Sequence, residues 1–162
     1  MMKKLLIAMF AISILGFNVS QAESIWDTPV VAMKDSSLDI VVYRSPTCGC
    51  CGKWLDHLKA HGFNVHDNVL EDMQHIKDKY GINNSLASCH TAIIDGYIVE
   101  GHVPANDIKA MLLNKPEIKG LAVPGMVAGT PGMEMGGKKA PFNVVAFDKD
   151  GQITLYKAYD QY

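Results

Sequence analysis

Leu38-Asp39-Ile40-Val41-Val42-Tyr43-Arg44-Ser45-Pro46-Thr47-Cys48-Gly49-Cys50-Cys51-Gly52-Lys53-Trp54 is the stretch on which the reading of this chain turns. Its first six residues form a β-branched and aromatic run suited to a strand covered on both faces, and Arg44-Ser45-Pro46-Thr47 breaks that run. From Cys51 the pattern turns helical, with Trp54, Leu55 and Leu58 on one side and Gly62 as a stop after His61. The order is strand, turn, cysteines, helix.

Outward from this unit, Phe63 to Leu70 alternates as a second strand, and Asp72 to Tyr80 reads as a helix closed by Gly81, completing a β-α-β-α half. A polar linker, Asn83 to Ser88, leads to Cys89-His90. Thr91-Ala92-Ile93-Ile94 and Tyr97-Ile98-Val99-Glu100 then flank Asp95-Gly96, a strong hairpin signal. Pro104-Ala105-Asn106-Asp107 opens a further helix through Leu113, with Asn106 or Asp107 as its expected cap. Between Gly120 and Pro141, six glycines mixed with Pro124, Pro131 and three methionines predict a long irregular loop. Phe142 to Phe147 and Gln152 to Tyr156 close the chain as a hairpin. The expected fold is α/β, with a mixed central sheet flanked by helices, a C-terminal hairpin and a long Gly/Pro/Met-rich loop.

The chain has 162 residues, 48% of them hydrophobic, and the apolar excess gathers at its start. Met1-Met2-Lys3-Lys4, the apolar run Leu5 to Leu15 and Val19-Ser20-Gln21-Ala22 together read as a secretory signal peptide, residues 1–22, cut after Ala22. The run is shorter than the roughly 20 residues needed to span a bilayer. Cleavage removes 22 of 162 residues and leaves 140, enough for one core. It also removes two of 15 basic residues, so 13 face 17 acidic ones and the net charge moves from −2 to −4. Nucleic-acid binding is disfavoured by that balance. The expected mature protein is periplasmic and free of the membrane, with residues 23–37 as an N-terminal arm and 38–162 as the domain.

Four cysteines survive cleavage: Cys48, Cys50, Cys51 and Cys89. Two structural disulfides would be the default in an oxidising compartment. Three of the four crowd into Cys48-Gly49-Cys50-Cys51, where they cannot all bridge one another without strain. Cys48 and Cys51 at C-x-x-C spacing, between a strand and a helix, form a thioredoxin-like arrangement. There the unpaired N–H groups of the helix start favour a thiolate, which can attack a disulfide or bind a soft metal. Cys50 is unwanted in a disulfide exchanger but suits a thiolate cluster, and thiolates select Cu(I) or Zn(II) over hard cations. Cys89-His90-Thr91 takes the place of the cis-proline turn that lies against the redox motif in thioredoxin-like folds, which puts Cys89 within reach of Cys48. A disulfide between those two, or a buried thiol, stays open as an alternative.

Met126, Met133 and Met135 sit on the Gly-rich loop without helical spacing, so a thioether-ligand role for Cu(I) competes with plain packing. His57 and His61 stand four residues apart on the first helix, a spacing that can hold a metal but more often marks a solvated face. His66 and His75 carry no pattern. His90, beside Cys89, and His102, in Gly101-His102-Val103-Pro104, are the candidate imidazole ligands.

Tyr43 to Trp54, Ser88-Cys89-His90-Thr91-Ala92, Gly101-His102-Val103-Pro104 and the Pro-Gly-Met loop, taken in order, resemble the small secreted CopG-like proteins of copper-resistance clusters, a family long catalogued as a domain of unknown function. The resemblance covers roughly residues 38 to 158. Val127-Ala128-Gly129-Thr130 departs from the Pro and Ser expected in the family loop, while the methionines keep their places. The resemblance implies a thioredoxin-like fold and a periplasmic location. It further implies Cu(I) ligation by Cys48, Cys50, Cys51 and Cys89, with Met126, Met133, Met135, His90 and His102 as further donors. Copper is the implied cofactor, in a site of one or several ions, with zinc as the lesser substitute; periplasmic copper-efflux or chaperone proteins are the implied partners. A thiol–disulfide oxidoreductase is the competing reading, and a disulfide-stapled interaction module a weaker third.

Overall fold

The computed structural model describes Ile25 and Trp26, residues 38–134 and residues 136–162. The expected signal peptide, residues 1–22, Met135 and the rest of the expected 23–37 arm lie outside the described residues. Strand β1, Asp39–Arg44, leads into helix α1, Gly49–Ala60; strand β2, Asn64–Val69, and helix α2, Met73–Tyr80, follow. The hairpin β3, His90–Ile94, and β4, Tyr97–Glu100, precedes helix α3, Ala105–Asn114, and then come β5, Gly120–Ala122, β6, Phe142–Phe147, and β7, Ile153–Tyr159. The seven strands make one mixed sheet in the order β2-β1-β3-β4-β5-β6-β7. Pairs β1–β2 and β4–β5 are parallel, each needing its helical crossover, and the other four are antiparallel. No described helix is long and apolar enough to cross a membrane.

Successive strand residues point to opposite faces, and the two apolar clusters divide accordingly: Val99, Leu121 and Ala146 enter one, Ile98, Ala122 and Phe147 the other. Trp54, Leu55 and Leu58 of α1 and Ile108, Met111 and Leu112 of α3 join the first cluster, so both helices cover the same face. Ile82 and Leu86, just past α2, cover the opposite face. Asp72 caps α2 by accepting from the His75 N–H, and Gly81 closes it in the left-handed conformation, the stop that the sequence predicts.

Three expectations are corrected. Helix α1 begins at Gly49 rather than Cys51, with Cys48 as its N-cap, so Cys50 and Cys51 both stand in the first turn. Neither Asn106 nor Asp107 caps α3: the N-cap is Pro104, and the Ala105 N–H donates instead to His57 Nε2 at 3.0 Å. Asp107 is buried and receives Lys157 Nζ at 3.1 Å and the Tyr159 hydroxyl at 2.7 Å. His57 and His61 are accordingly no solvated face but buried neighbours, with ring centroids 4.5 Å apart and His61 Nε2 against the Trp26 carbonyl.

The stretch from Gly120 also begins with a buried strand, β5, that its composition hides. Its glycine is required by packing, because a Cβ at Gly120 would stand 2.0 Å from the Ile98 carbonyl oxygen. Trp26 of the arm is buried too, donating its indole N–H to the Gly129 carbonyl at 3.0 Å among Phe142, Tyr159 and Tyr162.

One buried ion pair crosses the layers. Lys77 Nζ of α2 reaches Glu100 Oε1 at the end of β4 at 2.5 Å. The same carboxylate accepts from the Ser88 N–H at 2.6 Å, the Ser88 hydroxyl at 2.9 Å and the Thr91 hydroxyl at 2.6 Å. If Lys77 were lost the carboxylate would keep three donors, whereas without Glu100 the ammonium would keep, among the described residues, only Thr91 Oγ1 at 3.3 Å. Breaking a buried pair by removing one partner costs about 3–5 kcal/mol. Glu100→Gln is expected near the top of that range and Lys77→Met clearly below it, as read from urea midpoints. Equal losses would show that the other donors do not hold the carboxylate.

Burial, with His61, His102 and Lys109 nearby, depresses the His57 pKa from 6.5 to about 3. In the unfolded chain His57 takes up a proton below about pH 6.5, while in the fold it does so only near pH 3, so its contribution is present above 6.5 and is lost as pH falls. The slope is up to ~1.4 kcal/mol per pH unit for such a group. His57→Gln, whose amide oxygen can still accept from Ala105, is expected to flatten the loss of stability between pH 6 and about pH 4. An unchanged pH slope in urea unfolding would remove His57 from that role.

Candidate metal centre

The turn after β1 is held at its base by a two-pronged pair, Arg44 Nε and Nη2 on the Asp67 carboxylate of β2, each at 2.8 Å. Within the turn, the Cys48 N–H donates to the Ser45 carbonyl at 3.2 Å, which sets Cys48 at the mouth of α1. Cys48 and Cys51 are joined by a disulfide with Cα atoms 5.5 Å apart, while Cys50 and Cys89 are free thiols. Cys50 Sγ lies 3.5 Å from Cys48 Sγ and 4.0 Å from Cys89 Sγ, and Cys51 Sγ lies 3.3 Å from Cys89 Sγ. All four sulfurs fall within 4.8 Å of one another.

Cys89 stands just before β3, whose first residue, His90, pairs with Arg44 at the end of β1. Glu100 grips the residues before and after the Cys89-His90 pair through Ser88 and Thr91, so the thiol is placed by a buried charge rather than by a proline. Burial, reinforced by Cys50 alongside, pushes the Cys89 pKa up to about 12. The thiol therefore keeps its proton at neutral pH until something replaces it.

His90 and His102 close the sulfur side. His90 Nδ1 is 3.4 Å from Cys89 Sγ, and the ring packs 4.2 Å from Trp54. Its Nε2 is buried and has no hydrogen-bond partner among the described residues. His102 Nε2 is 3.6 Å from Cys89 Sγ, while its Nδ1 stands 2.7 Å from the Pro131 carbonyl. A carbonyl only accepts, so His102 carries its proton on Nδ1 and turns a bare Nε2 toward the thiol. Burial lowers both imidazole pKa values.

The Gly-rich loop covers the site. Its Gly132, at φ +81°, lies so close to α1 that a Cβ there would meet the Trp54 nitrogen at 2.6 Å. A cavity of about 540 Å³ opens between loop and helix, lined by Cys48, Cys50, Cys89, Met73, Met126 and Met133 among others. Met133 is buried, Met126 is exposed at the rim, and Met135 lies outside the described residues. Met73 has no counterpart in the sequence reading, because a methionine opening a helix carries no pattern that distinguishes it from packing. Two chemistries are open to this arrangement: thiol–disulfide exchange, and ligation of a metal by sulfur and imidazole.

Comparison with known proteins agrees with the geometry. A family model described as "Protein of unknown function, DUF411" matches residues 86–133, a span holding Cys89, His90, His102, Met126 and Met133. No curated protein matches. A solved structure named copper resistance protein CopG, form 1, is 45% identical, with a TM-score of 0.73, over 78% of this chain and 100% of that one. Form 2, also 45% identical with a TM-score of 0.73, is matched over 76% of this chain and 99% of that one. With that identity over essentially the full length of those structures, the chain belongs to the CopG family of copper resistance proteins.

Proposed function

We propose that this chain is a periplasmic copper-resistance protein that holds Cu(I) on Cys48, Cys50, Cys51 and Cys89. The observation that carries the reading is the gathering of four sulfurs within 4.8 Å at the start of α1, beneath a loop bringing Met126 and Met133. Thiolate and thioether are soft donors suited to Cu(I). The periplasmic assignment rests on the signal-peptide pattern of residues 1–22. The thioredoxin-like reading is supported by the β1-α1-β2-α2-β3-β4-α3 order, with β2 parallel to β1 and the β3–β4 hairpin beside β1.

Loading of the full cluster requires the Cys48–Cys51 bond to be opened: two electrons from a dithiol reductant, which itself closes to a disulfide, leave two thiols here. Zinc is the lesser substitute for copper. Copper efflux or chaperone proteins of the periplasm are the proposed partners. A thiol–disulfide oxidoreductase remains the second reading, favoured by the disulfide observed at the helix start with two free thiols beside it.

Four thiolates carry more negative charge than one Cu(I) neutralises, so sulfur bridging between ions is favoured. The reduced protein, titrated anaerobically against a Cu(I) chelator, is expected to take up more than one ion, and the disulfide-closed protein fewer. Saturation at one ion, together with insulin reduction at a thioredoxin-like rate, would transfer the assignment to the oxidoreductase.

Exchange of Met126, Met133 and Met135 for Leu keeps nearly the same apolar volume, so the fold should lose less than about 1.5 kcal/mol per site. Lower Cu(I) affinity and faster air oxidation of the loaded protein are expected. Unchanged values for both would make the methionines packing residues.

A further inference from the structure

Closing the Cys48–Cys51 bond removes two of the four thiolates, yet it leaves a second donor set intact. Cys89 Sγ and one nitrogen each of His90 and His102 lie within 4.8 Å of one another, and none of them is part of a disulfide. The sulfur-to-nitrogen separations are 3.4 and 3.6 Å. An ion held at about 2.3 Å from sulfur and about 2.0–2.1 Å from nitrogen, with angles between tetrahedral and trigonal, spans sulfur and nitrogen by roughly 3.5–3.8 Å. The His102 edge therefore already has the size of a filled site, and the His90 edge falls just short of it.

The ligands are also oriented in advance. His102 is held by Pro131 with Nε2 bare, and His90 is fixed against Trp54, with its rings' centroids 5.1 Å from those of His102. Both imidazoles are buried. On the remaining side Cys89 borders the cavity of about 540 Å³, which leaves room for a water as fourth ligand. Three protein donors and one open position is the pattern of a reactive rather than a closed zinc-type site.

We propose that the disulfide-closed protein carries a mononuclear site, built from Cys89, His90 and His102, for a borderline divalent ion of the Zn(II) class. One thiolate with two imidazoles is a harder donor set than four thiolates, and it favours divalent ions over Cu(I). The state of the Cys48–Cys51 pair thereby selects the class of metal the chain accepts. The site shares Cys89 with the Cu(I) cluster but needs neither Cys48 nor Cys51 as a ligand, so it is available in the disulfide-closed protein.

The test uses Co(II) as a probe on Cys50→Ser protein in which the Cys48–Cys51 disulfide has been confirmed by mass and thiol titration. The Cys50 exchange excludes a Cys50–Cys89 disulfide and removes Cys50 as a donor. One equivalent of Co(II) is expected to bind with the intense visible bands of four-coordinate cobalt and a near-ultraviolet thiolate-to-cobalt band, and Zn(II) should displace it. Adding Cys89→Ser should abolish the ultraviolet band. His102→Gln should weaken binding by at least about tenfold, as loss of a ligand-orienting contact alone costs 10–100-fold. Weak six-coordinate absorption without a thiolate band, or a spectrum indifferent to Cys89→Ser, would overturn the proposal. Cu(I) uptake by the reduced protein reads only the thiolate cluster, so either site can fail without the other.

Discussion

A buried carboxylate organises the functional end of the molecule. Glu100 ends β4 without access to water, and taking such a charge out of solvent costs several kcal/mol. Four donors offset that cost, drawn from α2 and from both flanks of the Cys89-His90 pair. Each hydrogen bond to a charged group contributes about 1.5–3 kcal/mol where geometry is good. The carboxylate therefore does two things at once: it pins α2 onto the sheet, and it holds Cys89 opposite the start of α1.

From that placement the chemistry of the site follows. Cys89 is half-buried beside another thiol and keeps its proton, whereas the imidazoles around it are pushed toward neutrality. Such a pocket disfavours net charge on either group, and a metal ion bound there would displace the thiol proton and accept the nitrogen lone pairs in one event. Protons would leave as metal entered. The disulfide across the helix start sets how many sulfurs take part, while the histidines are unaffected by it.

Much of the framework was legible in the residues. The apolar run before Pro46, the Asp95-Gly96 turn and the Asp72 to Gly81 helix each have a local cause, and each appears where that cause puts it. What stayed hidden depends on distant partners. Three residues of β5 are too few for periodicity, and only the Ile98 carbonyl explains their glycine. His57 looks like one half of a surface pair until α3 is seen to need an acceptor for Ala105, and Trp26 looks like linker until the aromatic cluster receives it. The cysteines were visible as a group by spacing and topology. The proton on His102 was not, because it is fixed by a carbonyl 29 residues away.

Gly132 carries a consequence for how this loop can vary. Its missing side chain lets the loop lie against the Trp54 backbone, and the neighbouring Pro131 and Met133 reach His102 and the cavity from that position. Any larger residue would act as a wedge, lifting both neighbours together and uncoupling the imidazole from its carbonyl. Gly136 and Gly137 have open space around them, so their constraint is the positive φ of +63° and +70° and not a neighbour. Heritable change in the loop is thus channelled: at its outer bend a new side chain meets backbone strain but no clash, while a single point beside the helix sets the depth of the lid.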